Sequence, residues 1–329
     1  MSAFRTVCLA ALCALGLTSP AAAESTWHTY SNSAGSRRYL LEVPAKTARR
    51  PALVVYLHGC SQSAADVAEG TGWSRLAREK GFVVVYPEQP GGGCWDWPHT
   101  ANQHRGAGEP SIIAGITEEV ARTQHADRRR IYVLGASAGG YMANNVAVSY
   151  PDVYAAIGIL AGGPYSLGFD SGPDASGQAI VAEMGSRARA VPVLVMQGTN
   201  DNVNPYAAAA AAVQQWLGAY DLIDDGQANG SVRRVPASEQ TYTATGNPDP
   251  ASGTTCDQPC LGGSLGLRSY PFTVAHHAGA RGRPLLDFWT IYGANHDYTG
   301  ATGGSFTDPT GPSMTDAAYA FLISHRLAR

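Results

Sequence analysis

Short apolar runs alternate along the chain with longer segments in which apolar residues recur at helical spacing. The apolar runs predict buried strands at 52–58, 82–88, 131–135, 155–162, 192–198 and 285–293. The longer segments predict helices at 63–80, 111–126, 138–150, about 205–220 and 314–327. Fully apolar strands separated by helices are typical of a parallel sheet covered on both faces. The pattern therefore predicts a doubly wound α/β fold with a mostly parallel central sheet and helices on both faces.

Two stretches interrupt this alternation. Residues 163–190 are rich in Gly, Ser and Asp, and residues 222–270 combine turn signals with short alternating runs. Neither stretch has the composition of a linker or of an independent domain. We therefore expect a single catalytic domain over 24–329, with these two stretches as insertions.

The first 23 residues have a different character from the rest. Arg5 supplies a positive start, 7–17 form an apolar stretch, and Ala21, Ala22 and Ala23 provide a small-residue cleavage site. This order is typical of a secretory signal peptide, and the apolar run is shorter than the ~20 residues that a membrane span needs. The sequence thus predicts a secreted protein, extracellular or periplasmic, without a membrane anchor.

Composition and charge argue against two classes of protein, disordered chains and nucleic-acid-binding proteins. Hydrophobic residues make up 44% of the 329 residues and charged residues only 15%, which excludes a disordered chain. The formal net charge is −3, so the basic surface that nucleic-acid binding requires is not expected.

Four cysteines follow the predicted signal peptide: Cys60, Cys94, Cys256 and Cys260. An even number in an oxidising compartment favours two disulfides. A local Cys256–Cys260 bridge is the simplest pairing, and it would leave Cys60 with Cys94. A zinc site is the alternative, but the cysteine and histidine spacings do not support one, so no metal is expected.

The segment Gly135-Ala136-Ser137-Ala138-Gly139 matches the Gly-x-Ser-x-Gly motif of a nucleophile elbow. The motif is short, and a second match occurs around Ser264. Ser137 follows a predicted strand and precedes a predicted helix, as an elbow requires, whereas Ser264 lies in a glycine-rich turn. Ser137 is therefore the expected nucleophile.

A serine nucleophile needs a general base and an orienting carboxylate, which follow it along the chain in this class of sheet. Asp201 lies just beyond the strand at 192–198, and His296 follows the last apolar strand. We expect these two residues to complete the triad. His277, which is expected with His276 in a loop after a minor strand, is the second choice for the base. A turn or cap role is the alternative for Asp201.

An oxyanion formed during acyl transfer needs backbone N–H donors. The Ala138 amide, directly after the nucleophile, is one candidate. The amide of Cys60 or Ser61, in the loop after the strand at 52–58, is the other. His58 in the same loop is a competing base, but it precedes the nucleophile in sequence.

Four aromatic residues could line an apolar cleft for the substrate: Trp95, Trp97, Tyr165 and Tyr298. Packing of the two tryptophans on the loop around Cys94 explains their presence equally well.

Taken together, the segments 57–89, 94–97, 104–110 and 128–156 resemble secreted polyhydroxybutyrate depolymerases, a family of esterases with feruloyl-esterase-like members. The resemblance implies an α/β-hydrolase fold, a triad of Ser137, Asp201 and His296, and a Cys60–Cys94 disulfide. It also implies ester hydrolysis in polymers or on polysaccharide-linked acyl groups, and we expect a polyester of the polyhydroxyalkanoate type as the substrate. Because water can release the acyl group from the serine by the same route, no cofactor is expected. Feruloyl esters, poly(aspartic acid) amides and an inactive polymer-binding role remain alternatives. The family's usual Gly-His-Ala-Trp around the base is replaced here by Asn295-His296-Asp297-Tyr298.

Overall fold

The computed structural model describes residues 24–166, 175–242, 270–280, 282–301 and 303–328. The predicted signal peptide, Ser264 and the Cys256–Cys260 pair lie outside these ranges. The strands are β1 (Glu24–Asn32), β2 (Gly35–Val43), β3 (Leu53–Leu57), β4 (Val83–Glu88), β5 (Ile131–Ala136), β6 (Ala156–Leu160), β7 (Val193–Gly198), β8 (Ser238–Tyr242), β9 (Phe272–Ala278), β10 (Pro284–Ile291), β11 (Tyr298–Thr299) and β12 (Thr307–Asp308). The α-helices are α1 (Ala64–Gly70), α2 (Trp73–Lys80), α3 (Gly108–Thr123), α4 (Ala138–Ser149), α5 (Gln178–Met184), α6 (Tyr206–Asp225) and α7 (Met314–Ile323).

Ten strands form one sheet in the order β1-β2-β4-β3-β5-β6-β7-β10-β9-β8. The six central strands, from β4 to β10, pair in parallel, and two antiparallel strands extend the sheet on each side. The mostly parallel α/β sheet expected from the sequence is confirmed. Among the described helices, none is both long and apolar enough to cross a bilayer.

The central strands are apolar throughout because both faces of the sheet are covered. Leu53, Val55 and Leu57 of β3 pack into one hydrophobic cluster with α3, α4 and α6. The intervening Val54 and Tyr56 pack into a second cluster with α1, α2 and α7. This alternation follows from the two-residue period of a strand, and it explains why β3 shows no polar position.

The structure differs from the sequence-based predictions at three places. The segment 63–80 forms two helices rather than one, because Gly72, with φ 81°, separates α1 from α2. The β1–β2 hairpin was not predicted, since the outer part of β2 is exposed and shows no continuous apolar run. His276 and His277 lie within β9, which pairs with β10, rather than in a loop.

The parallel arrangement decides where the functional loops lie. The carboxyl ends of β3, β5, β7 and β10 meet at one edge of the sheet, and open α/β sheets bind their ligands at this edge. The segments that follow these four strands carry Cys60, Ser137, Asp201 and His296.

Candidate active site

Ser137 occupies a strained turn between β5 and α4. Its backbone has φ 57° and ψ −125°, a conformation that residues with a side chain rarely adopt and that costs about 1–3 kcal/mol. Two hydrogen bonds hold the turn: the Ser137 N–H donates to the Leu160 carbonyl at 2.9 Å, and the Gly140 N–H donates to the Ser137 carbonyl at 2.8 Å. The turn places the half-buried Ser137 on the wall of a cavity.

The two glycines of the motif are required by close backbone contacts. A Cβ on Gly139 would lie 2.1 Å from the Leu57 carbonyl oxygen, and a Cβ on Gly135 would lie 2.5 Å from the Gly139 backbone. Such distances are far inside van der Waals contact. Strand β3 can therefore press against the start of α4 only because both positions lack a side chain.

Asp201 and His296 form a buried pair beside this turn. The Asp201 Oδ2 lies 2.7 Å from the His296 Nδ1, with the carboxylate side chain 0% exposed and the imidazole 13% exposed. The Asp201 Oδ1 accepts hydrogen bonds from the Val203 and Asn204 amides at 2.9 and 2.8 Å. Gln197 donates to Oδ2 at 2.9 Å. The aspartate therefore caps its own turn and orients the imidazole at the same time.

This pairing fixes the tautomer of the histidine. An ionised carboxylate can only accept, so the His296 Nδ1 carries the proton and Nε2 is left as the acceptor. His296 and Ser137 line the same cavity. An imidazole held in this way can take the proton of an attacking hydroxyl and return it to a leaving group.

Direct contacts join the loops that carry Asp201 and His296. The Asn200 N–H donates to the Ala294 carbonyl at 3.0 Å, and the Asn200 side chain donates to Asn295 at 2.8 Å. The Gly293 N–H donates to the Thr199 hydroxyl at 2.9 Å. These bonds extend the parallel pairing of β7 with β10 beyond the sheet, which brings Asp201 and His296 together although they are far apart in sequence.

The loop after β3, residues 58–62, faces Ser137 from the other side and is called the oxyanion loop below. A Cβ on Gly59 would lie 3.3 Å from the Ser137 Cβ, so the loop and the turn are in close contact. A disulfide joins Cys60 to Cys94, with their Cα atoms 4.3 Å apart, which confirms the expected pairing.

The two candidate donors in this loop are not equivalent. The Ser61 N–H donates to the Gly92 carbonyl at 2.8 Å, so it is already occupied and the expectation for Ser61 needs correction. The peptide before Cys60 is held by its carbonyl, because the Gly59 oxygen lies 2.7 Å from the His58 Nδ1. In a trans peptide the N–H points opposite to the carbonyl, so this contact fixes the direction of the Cys60 N–H. The Ala138 N–H lies at the start of α4, where backbone donors have no acceptor within the helix.

His58 itself is a structural residue. It is fully buried, and the Gln89 N–H donates to its Nε2 at 2.9 Å while its Nδ1 donates to the Gly59 carbonyl. Burial lowers the pKa of His58 below its usual value of 6.5. Both ring nitrogens are thus engaged with backbone, which leaves neither free to act as a base.

The cavity at the site has a volume of about 280 Å³. Its inner wall includes Ser137, His296, Cys60 and Gln62. Two exposed apolar side chains also line it: Val203 is 62% exposed and Phe306 is 51% exposed. Neither residue was singled out from the sequence, since an isolated apolar residue in a loop gives no periodic signal.

The four aromatic residues expected around the substrate lie mostly elsewhere. Trp95 is 1% exposed and donates from Nε1 to the His58 carbonyl at 3.0 Å, while Tyr165 is buried and donates to the Gln103 carbonyl at 2.6 Å. Trp97 stacks on Tyr141, with ring centroids 4.0 Å apart. None of these three lines the cavity as the structure describes it. They pack in and around the core because their ring surfaces are large and their polar atoms find backbone partners.

Tyr298 does line the cavity, but as part of its buried wall. Its hydroxyl accepts from the Trp73 Nε1 at 3.1 Å and lies 2.8 Å from the Thr315 hydroxyl. His277, the alternative base, is 5% exposed within β9 and does not line the cavity. Over the described ranges, no group of three or more His, Cys, Asp or Glu residues is arranged to hold a metal ion.

Comparison with known proteins gives relatives named as a depolymerase and as acetylxylan esterases. Poly(3-hydroxyalkanoate) depolymerase C of Paucimonas lemoignei is 37% identical over 140 residues, covering 41% of this chain and 34% of the relative. Probable acetylxylan esterase A of Aspergillus fumigatus is 33% identical over 149 residues, covering 45% of this chain and 40% of the relative. The chain thus spans only about a third to two fifths of the length of these relatives.

The fold has a solved counterpart. The acetyl xylan esterase from Aspergillus awamori superposes with a TM-score of 0.65 at 18% identity, covering 92% of this chain and 99% of that one. This similarity shows the α/β-hydrolase fold. The family model described as Esterase PHB depolymerase matches residues 37–221, more than half of the chain. The chain therefore belongs to the esterase PHB depolymerase family.

Proposed function

We propose that this protein is a serine hydrolase that cleaves carboxylic esters through an acyl-enzyme. The observation that carries the proposal is the Asp201–His296 pair, which opens into the same cavity as the strained Ser137. Family membership and relatives named as esterases and depolymerases support the same reaction.

In the proposed reaction, the His296 Nε2 takes the Ser137 proton while Oγ attacks the ester carbonyl. The oxyanion of the tetrahedral intermediate accepts from the Ala138 and Cys60 amides. His296 then protonates the leaving alcohol, and the acyl group stays on Ser137. Water, deprotonated by His296, releases the acid and restores the serine. Asp201 holds the ring and stabilises its protonated form throughout.

The cavity favours a small, uncharged acyl group. Its volume of about 280 Å³ is near the lower end of the roughly 300–1,000 Å³ of pockets for small ligands. Its described lining contains Asp66 and Asp297 but neither Lys nor Arg, so a polyanion such as poly(aspartic acid) would be repelled.

We propose a polyester of the hydroxyalkanoate type as the first candidate substrate. The similarity to a poly(3-hydroxyalkanoate) depolymerase and the short acyl units of such polymers support it. Acetyl esters of a polysaccharide are the second candidate, supported by the similarity to acetylxylan esterases and by the small cavity.

Release of 3-hydroxybutyrate from polyhydroxybutyrate, acetate from acetylated xylan, and ferulate from methyl ferulate would separate these substrates. The decisive control is Ser137→Ala, which should abolish release from every ester. Retention of turnover in Ser137→Ala would exclude the serine mechanism. Binding of the polymers without turnover by the unsubstituted protein would instead support the binding-module alternative.

We also propose export from the cell. Residues 1–23 have the order of a signal peptide, and the Cys60–Cys94 disulfide suits an oxidising compartment. N-terminal sequencing of the protein recovered outside the cytoplasm should begin at or near residue 24.

A further inference from the structure

The Gln62 side chain bridges two loops that border the cavity. Its Oε1 accepts from the Gly59 N–H at 2.9 Å, and its Nε2 donates to the Ser305 carbonyl at 2.9 Å. Gln62 is 9% exposed and lines the cavity. A buried amide with both ends on backbone groups has little freedom to move, because breaking either bond would leave a polar group unsatisfied.

The segment that Gln62 reaches, residues 303–307, is called the strap. The Asp66 carboxylate holds it by accepting from the Ser305 N–H at 3.0 Å and from the Ser305 hydroxyl. The strap also lies directly on α1, since a Cβ on Gly70 would be 2.3 Å from the Gly303 carbonyl oxygen. The Ser305 carbonyl is therefore a fixed point.

The other end of the bridge fixes the oxyanion loop. The two peptides around Gly59 are each held: the His58 carbonyl accepts from Trp95, the Gly59 N–H donates to Gln62, and the Gly59 carbonyl accepts from His58. Among the residues that the structure describes, the Gln62 side chain alone connects these peptides to the strap. Loss of that bond would leave the first peptide held at its carbonyl and the second held from within the oxyanion loop, so the direction of the Cys60 N–H would no longer be tied to the strap.

We propose that Gln62 is a positioning residue for ester hydrolysis, holding the Cys60 amide in line with the oxyanion by tying the oxyanion loop to the strap. The inference rests on the proposed function, because it concerns a donor to the developing charge. Such a residue acts on the transition state more than on the bound substrate, so it should affect kcat more than KM.

A matched control lies elsewhere in the chain. Gln215 is also buried, and its amide also accepts from a backbone N–H and donates to a backbone carbonyl, both of Tyr165, at 2.8 and 3.0 Å. It does not line the cavity. Replacement by Met removes the same two hydrogen bonds at either position and keeps a side chain of similar length.

The test compares Gln62→Met with Gln215→Met on p-nitrophenyl acetate, with butylboronic acid as a tetrahedral inhibitor of the serine. Gln62→Met should lower kcat by roughly tenfold to a hundredfold, with KM within about threefold, and should raise the inhibition constant by a factor similar to the loss in kcat. Gln215→Met should keep kcat within about twofold of the value for the unsubstituted protein, even if its melting temperature falls as much as that of Gln62→Met. Equal kcat in the two variants, or a change confined to KM, would overturn the inference.

A second variant covers the case in which Gln62→Met does not fold. Asp66→Ala removes the carboxylate that holds the strap and leaves the residues of the oxyanion loop unchanged. It should also lower kcat, by a smaller factor than Gln62→Met does. An unchanged kcat in Asp66→Ala would count against the coupling. Failure of the proposed function has a different signature: the unsubstituted protein would not hydrolyse the ester, or Ser137→Ala would remain active.

Discussion

The Asp201 carboxylate and the His296 imidazole lie 2.7 Å apart although 95 positions separate them in sequence. Parallel pairing of β7 with β10 produces this proximity, because both residues lie in loops after the carboxyl ends of neighbouring strands. Asp297, directly beside His296, also lines the cavity. The fold thus places two carboxylates near one imidazole. Of these two, it is Asp201 that lies within hydrogen-bonding distance of the His296 Nδ1.

Asp201→Asn should lower kcat by about 10³–10⁴-fold, as removal of the orienting charge does in serine hydrolases. The amide keeps the size of the side chain and an acceptor for the Val203 and Asn204 amides, so folding should be retained. Asp297→Asn, the neighbouring control, should lower kcat by less than about tenfold. Steady-state kinetics on a p-nitrophenyl ester measures both; similar losses in the two variants would contradict the assignment of Asp201.

Phe306 is expected to contribute binding energy for esters that extend beyond the cavity. Its ring is half exposed at the cavity, although its backbone has φ 55°, which is costly for a bulky residue. Phe306→Ala should reduce kcat/KM about tenfold for methyl octanoate or octyl acetate relative to methyl acetate.

Two further variants separate the ring from the strain. Phe306→Gly removes the ring and also relieves the backbone, so it should show the same change in substrate preference with higher stability than Phe306→Ala. Trp27→Ala removes an exposed aromatic ring that does not line the cavity, and it should leave the preference unchanged. If all three variants keep the parent's ratio of long to short esters, Phe306 does not bind substrate.

Reduction of the Cys60–Cys94 disulfide should affect turnover before it affects the fold. The bridge holds the loop that carries the Cys60 amide, and it closes a loop whose ends are 34 positions apart. Its removal should cost about 2–4 kcal/mol of unfolding free energy. A Cys60→Ser, Cys94→Ser double variant should therefore remain folded in buffer but show a lower kcat. Unchanged kcat, with the loss of stability measured by urea unfolding, would show that the disulfide acts on stability alone.

His325 is expected to make the fold sensitive to acid. Burial, with the positive charges of Arg283 and Arg189, lowers the pKa of His325 to about 4. In the unfolded chain the ring titrates near 6.5. Between these values only the unfolded chain binds the proton, so the unfolding free energy falls as the pH is lowered from 6.5 to about 4.

His325→Gln should reduce the slope of the unfolding free energy against pH, because about one proton fewer is taken up on unfolding near pH 5. Above pH 7.5 the His325 ring is neutral in the folded chain and in the unfolded chain. The unfolding free energies of variant and parent should therefore differ there by an amount that does not change with pH. Buried His58 and His277, whose pKa values are also lowered, keep part of the slope. Urea unfolding at several pH values provides the measurement; parallel pH profiles for the two proteins would rule out His325 as a contributor.

Local sequence was sufficient for the parts of this protein that depend on local physics. The apolar runs predicted the six central strands, because a strand buried on both faces must be apolar at every position. The Gly135 and Gly139 spacing around Ser137 predicted the elbow, because its glycines meet backbone that a side chain would clash with. The order of strands then indicated Asp201 and His296, since parallel strands end at a common edge.

Tertiary structure decided what no short window of sequence contains. The Gln62 side chain donates to the Ser305 carbonyl, 243 positions away, and the Ser61 N–H donates to the Gly92 carbonyl. Which backbone N–H is available to an oxyanion therefore depends on loops that meet only in the folded chain. Trp95 and Tyr165 are of residue types that are common in binding clefts, but they lie in the core. Phe306 instead lines the cavity. A side chain's type sets what it can bind. Its burial and its partners depend on contacts between distant segments, which the hydrophobic pattern does not encode.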